Sequence, residues 1–212
     1  MMARKGGGGP VRTGIFGGSF NPVHLGHVGL ARRIVERGLV DEVWLMVSPR
    51  NPLKASCGLA PEADRLQMAR LAVAGVPGVE VSDFEFDLPR PSYTAATMRA
   101  LVRAYPGRTF SLIVGADNWE IFSLWREYEY LLGHYPVIVY PRRGRSVPPD
   151  VGAMAGTAGV TCIAAPEFPY SSTRVREALR GSEGAVSGML SPEVLAYIKA
   201  HKLYSDTPST HE

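Results

Sequence analysis

Short apolar runs separated by helix-patterned stretches constrain this chain more than any other feature. Val11 to Gly17, Val43 to Val47, Val79 to Ser82, Phe110 to Val114, Val137 to Tyr140 and Val160 to Ala164 have strand length. Most are too continuously apolar for one wet face, which predicts strands of a parallel sheet covered on both sides. Between them, Leu25 to Arg37 repeats Leu30, Ile34 and Val35 at helical spacing and stops at Gly38. Pro61 and Glu62 open a second helix with Leu66, Ala69, Ala72 and Val73 on one face, and Thr94 to Ala104 and Ile121 to Leu132 read as two more. Ser172 and Thr173 begin one late helix. Ser191, Pro192 and Glu193 begin the other, with a capping serine, a proline in the first turn and a carboxylate at the positive end. The βαβ rhythm predicts an α/β fold: a doubly wound parallel sheet followed by C-terminal helices.

The remaining bounds are broad. A chain of 212 residues suits one large domain, expected over 11–212, with the glycine-rich residues 1–10 as a disordered leader that has little to bury. No apolar run approaches the roughly 20 residues that cross a bilayer, and no hydrophobic segment follows the charged N-terminus. A cytoplasmic protein with no membrane partner is expected. Cys57 and Cys162 have no CxxC or Cys/His spacing, so neither a disulfide framework nor zinc is indicated. Lys and Arg number 23 against 20 Asp and Glu, an excess that suits anionic ligands but falls short of a nucleic-acid stripe. Residues 141 to 160 form a Gly/Pro-rich connector.

The chemistry concentrates in GIFGGSFNPVHLGH, residues 14 to 27, between the first strand and the first helix. A glycine-rich turn there lets backbone N–H groups approach phosphate oxygens, and the helix N-terminus adds partial positive charge. The spacing is neither GxGxxG nor GxxxxGK[ST], so a different nucleotide chemistry is implied. His24 and His27, one helical turn apart with Gly26 between them, can face one bound phosphate and stabilise charge that develops on it. Alone, such a pair also fits a surface histidine beside a helix cap, or a metal pair lacking a third ligand. The adjoining GGSFNP favours phosphate.

GGSFNPVHLGH resembles the HxGH signature of the nucleotidyltransferase superfamily, and PYSSTRVRE at 169 to 177 resembles its SSTxxR segment. PSYTAATM at 91 to 98, VGADNWEIFSLWREYEYLL at 114 to 132 and SPEVLAYIKAHKLY near the end narrow the similarity to the nicotinate-nucleotide adenylyltransferases, over nearly all of residues 12 to 204. The resemblance implies a Rossmann-like sheet of the nucleotidyltransferase type. It implies adenylyl transfer from ATP to nicotinate mononucleotide, giving deamido-NAD and pyrophosphate in NAD biosynthesis. The attacking phosphate is already an anion, so positioning and charge neutralisation replace a protein nucleophile.

By the same resemblance, His24 and His27 contact the ATP phosphates, with His27 stabilising the transition state, and Arg176 reaches the leaving phosphates. Phe16, Gly17, Ser19, Phe20 and Gly115 line the ATP site, Asp117 bonds the ribose, and Ser171, Ser172 and Thr173 offer hydroxyls and N–H groups. Tyr93, Thr94, Trp125 and Arg126 form the acceptor site, with the indole on the pyridine ring and backbone N–H groups of Thr94 and Arg126 on the carboxylate. Trp119 competes with Trp125 for that role. Lys54 matches a position for the acceptor's phosphate, although the usual PPH run is missing, and Arg126 replaces an aromatic residue. One of Arg142 and Arg143 is expected on ATP. Mg²⁺ is expected as a rider on ATP, with no protein metal site. Nicotinamide mononucleotide or phosphopantetheine as acceptor, and a non-catalytic nucleotide sensor, remain the alternatives.

Overall fold

The computed structural model describes residues 9–49, 58–142, 158–164, 170–181 and 186–205. The strands are β1 (Val11–Gly18), β2 (Glu42–Val47), β3 (Val79–Ser82), β4 (Arg108–Gly115), β5 (Val137–Tyr140) and β6 (Val160–Cys162). The helices are α1 (Leu25–Glu36), α2 (Glu62–Val73), α3 (Thr94–Ala104), α4 (Ala116–Trp119), α5 (Tyr128–His134), α6 (Ser172–Arg180) and α7 (Pro192–Ala200). All six strands are parallel in the order β3-β2-β1-β4-β5-β6. The chain winds outward from β1 to β3, then returns to place β4 on the other side of β1. The β1/β4 boundary is therefore the switch point at which open α/β sheets bind ligands beyond the carboxyl ends of their strands.

Side-chain alternation explains the two covered faces. Along β2, Val43, Leu45 and Val47 enter one core with Ile34, Met68, Val175 and Ile198, while Trp44 and Met46 enter the other with Ala95, Met98 and Leu131. Helices α1, α2, α6 and α7 thus cover one face, and α3 and α5 the other. At the amino ends of the strands, Arg108 donates to Thr13 Oγ1 at 3.1 Å and pairs with Glu42.

Three sequence expectations are corrected. Ile121 to Leu132 is not one helix: a 3₁₀ turn at Phe122–Leu124 is followed by extended Trp125, left-handed Glu127 at φ 59° and then α5. Glu127 is held there by Arg99 at 2.6 Å, and buried Phe122 anchors the turn. The last strand ends at Cys162 rather than Ala164. On α2 the buried face is Arg65, Leu66, Met68, Ala69 and Val73, with Ala72 only partly covered. Among the described residues no helix is long and apolar enough to cross a membrane.

Candidate active site

A cleft of about 780 Å³ opens at the carboxyl ends of β1 and β4, lined on one side by Phe16 to Asn21 and His27 and on the other by Tyr93, Thr94, Trp125 and Arg126. The turn after β1 is shaped from within. Phe20 takes φ 44°, a costly left-handed conformation for a residue with a side chain, and its ring packs edge-on against His27 at 5.0 Å and Phe16 at 5.8 Å. A Cβ on Gly17 would meet nothing within 4 Å, so its backbone faces open space.

The two histidines stack, with ring centroids 3.7 Å apart and planes at 24°. Nδ1 of His27 accepts the His24 backbone N–H at 3.2 Å, which fixes the outer ring against the start of α1. They are not equivalent. His27 lines the cleft, whereas His24 lies behind it, 6% exposed, with neither ring nitrogen hydrogen-bonded among the described residues. Burial, with a smaller contribution from the Arg142 charge, pulls the His24 pKa from 6.5 to about 4. His24 is therefore a neutral imidazole at pH 7.

The late serine-rich turn docks on the same loop. Ser172 Oγ donates to the Pro22 carbonyl at 2.9 Å and Arg176 Nη1 to the Asn21 carbonyl at 2.7 Å. Ser172, Thr173 and Arg176 line the cleft, and Arg176 Nη2 also reaches Thr173 Oγ1 at 3.4 Å. Ser171 does not line it: its hydroxyl caps α6 by accepting the Arg174 N–H at 3.2 Å. A guanidinium carries five N–H donors, so two such bonds leave others for an anion.

Across the cleft, Tyr93 precedes α3 without a side-chain cap, so the first N–H groups of that helix, beginning at Thr94, have no intrahelical partner. Trp125 is part-buried, lies on Phe122 at 4.8 Å and lines the cleft, which Trp119 does not. The guanidinium of Arg126 sits over the Tyr93 ring at 4.9 Å, an attraction that joins the segments preceding α3 and α5. Gly115 lines the floor, where a Cβ would come within 2.7 Å of Asp117 Oδ1 and 3.0 Å of Arg142 Cδ. Asp117 stands outside the lining and pairs with Arg142 at 3.5 Å; its neighbour Asn118 and Arg142 itself face the cleft. Lys54, Arg143 and Cys57 lie outside the described residues, as do residues 1–8 of the leader and most of the 141–160 connector. Cys162 is an exposed free thiol.

Sequence reasoning missed three buried polar groups. Asn21 was in the quoted motif but carried no role; its side chain donates to Gly58 O at 2.8 Å and accepts from Ala60 N at 3.0 Å and Tyr204 Oη at 2.8 Å. Glu85 lines the cleft at 8% exposure, and burial raises its pKa against the opposing effect of the Thr97, Ser48 and Ser92 hydroxyls. Arg65, fully buried, touches four backbone carbonyls. An arginine one position before the apolar Leu66, Met68 and Ala69 was the only local signal.

A switch-point cleft walled by glycine backbone, an imidazole and guanidinium groups marks an α/β protein that handles phosphorylated nucleotides. The sequence pattern of the cytidylyltransferase-like family matches residues 15–178. A Bacteroides fragilis protein named "Probable nicotinate-nucleotide adenylyltransferase" is 47% identical over 173 residues, 79% of this chain and 82% of that one. Its namesake from Bacteroides thetaiotaomicron is 44% identical over 191 residues, 90% of this chain and 92% of that one. The chain belongs to the cytidylyltransferase-like family and, within it, to the nicotinate-nucleotide adenylyltransferases. The fold is shared with Plasmodium falciparum nicotinic acid mononucleotide adenylyltransferase complexed with NaAD, at TM-score 0.74 and 18% identity over 92% of this chain and 97% of that one.

Proposed function

We propose that this chain transfers the adenylyl group of ATP to nicotinate mononucleotide, forming deamido-NAD and pyrophosphate. The observation that carries the reading is the bonding of Ser172 and Arg176 to the Pro22 and Asn21 carbonyls, which brings both signature segments to one cleft that continues to Thr94 and Trp125. The triphosphate lies against the Gly17 to Ser19 backbone, with His27 and Arg176 on its oxygens. His24, neutral, backs the His27 ring by stacking on it at 3.7 Å. As the acceptor phosphate attacks the α-phosphorus, charge grows on the leaving pyrophosphate, and Arg176 with the α6 N-terminus stabilises it there. Gly115 leaves room for the nucleoside, and this reading gives the ribose to Asp117, which pairs with Arg142. Mg²⁺ enters on ATP as part of the substrate. This reading gives the ion phosphate oxygens and water as ligands. An ATP-consuming step of this kind fits a cytoplasmic protein.

On the acceptor side, Trp125 stacks on the pyridine ring, and N–H groups at Thr94 and Arg126 receive the carboxylate. Donor groups match an acid and leave an amide NH₂ facing donors, an unmatched contact that disfavours nicotinamide. The test is pyrophosphate release from MgATP with nicotinate mononucleotide, nicotinamide mononucleotide or phosphopantetheine at matched concentrations. Turnover is expected with the first, reduced at least tenfold with the second and absent with the third. Equal or inverted rates for the two mononucleotides overturn the acid preference, and no release with any acceptor overturns the reaction.

A further inference from the structure

Arg65 is the largest fully buried side chain of the described residues, yet no carboxylate bonds it. Its Nε donates to Ala60 O at 3.0 Å, Nη1 to Ser19 O at 2.7 Å and to Ser48 O at 2.8 Å, and Nη2 to Pro49 O at 2.7 Å. These carbonyls belong to three separate connections: the turn after β1, the end of β2 and the approach to α2. Glu62 attracts the guanidinium without a hydrogen bond, and a buried charge that no carboxylate bonds costs several kcal/mol unless its donors are well satisfied, so packing alone would favour an apolar residue here. Only a planar fork of five donors can hold carbonyls in such directions, and a lysine cannot reproduce the arrangement.

The fork joins the two halves of the cleft. Ser19 and Ser48 both line it. Ser48 also donates its backbone N–H to Gly18 O at 2.9 Å, and its hydroxyl faces Glu85. Glu85 accepts from Thr97 Oγ1 at 2.9 Å, one turn along α3 from Thr94. A continuous chain of short contacts thus runs from the phosphate turn, through Arg65 and Ser48, to the acceptor helix.

We infer that Arg65 is a positioning residue for adenylyl transfer, acting through the Ser19 and Ser48 carbonyls to hold the phosphate turn in register with the acceptor wall. The inference rests on the reaction proposed above. Loss of that register leaves each binding surface in place but displaces the two reacting phosphates from one another, and misplacement of about 1 Å costs about 100-fold in rate. The loss falls on kcat rather than on either KM.

The experiment compares the full chain with Arg65→Lys and Arg65→Met in steady-state pyrophosphate release, with circular dichroism to establish folding. Lys keeps the charge without the fork, and Met keeps the bulk without either. Both variants are expected to fold and to lose about 100-fold in kcat, with each KM within threefold of the parent. A parent chain that releases no pyrophosphate from ATP and nicotinate mononucleotide refutes the proposed reaction, whatever the variants do. With an active parent, kcat within threefold in Arg65→Lys or Arg65→Met overturns the positioning role, as does a loss confined to KM. Failure of both variants to fold assigns Arg65 to stability and also overturns it.

Discussion

The buried imidazole of His24 makes a quantitative demand on the pH dependence of folding. In the unfolded chain the ring titrates at 6.5; in the folded chain burial and the Arg142 charge bring it to about 4. Between those values the unfolded state binds the extra proton, so stability rises with pH through the window and is lost as pH falls from 6.5 towards 4. Two and a half pKa units at about 1.4 kcal/mol each amount to about 3 kcal/mol. The perturbation is His24→Asn, which keeps a polar planar group but removes the titration. The assay is urea unfolding followed by circular dichroism from pH 7.5 to 4, with parent and variant compared at each pH so that carboxylates common to both cancel. The parent is expected to lose about 3 kcal/mol relative to the variant across the range, with little difference in slope above pH 6.5. Parallel curves, or a His24 ring resonance that titrates near 6.5 by NMR, would refute the burial argument and with it the neutral ring stacked behind His27.

Two further outcomes follow from the cleft walls. Trp125→Ala is expected to raise the acceptor KM about tenfold, the equivalent of about 1.4 kcal/mol of ring contact, with the ATP KM within twofold; a matching rise in both would place the indole elsewhere. Tyr204→Phe is expected to cost about 1 kcal/mol for one lost hydrogen bond and to have no further effect in an Asn21→Ala background, where its partner is already gone. Additive losses in that double-mutant cycle would show that Tyr204 acts independently of Asn21.

The sheet was legible because its signal is local. Val137–Tyr140 begins and ends where its apolar run does, and Thr94–Ala104 begins where a proline-containing segment gives way to helical spacing. The misread stretch was 121 to 132, where sequence spacing suits a helix but tertiary contacts do not. Glu127 turns left-handed against Arg99, and the break delivers Trp125 and Arg126 to the cleft. Tertiary context similarly divided the HxGH pair, since only the folded chain decides which imidazole faces the cleft and which is buried outside it. Arg65 was illegible for the same reason: its acceptors are carbonyls, which every residue possesses and no sequence pattern marks.

The placement of Arg176 has a cause far from the cleft. Val175 on α6 is fully buried in the same core as Ile34 of α1 and Met68 of α2, together with Val186, Leu190, Val194 and Ile198. The Met189 carbonyl accepts the Leu25 N–H at the start of α1, 2.9 Å away, and the Tyr197 hydroxyl donates to Asp64 at 2.7 Å. Apolar burial therefore draws the C-terminal helices onto the first βα unit, and polar contacts set their register there. Because Arg176 is adjacent to Val175, the packing that completes this face also brings its guanidinium to Asn21, beside the histidine loop. The cleft thus joins an early segment of the chain to a late one, and its assembly is coupled to the burial of this core rather than to either motif alone.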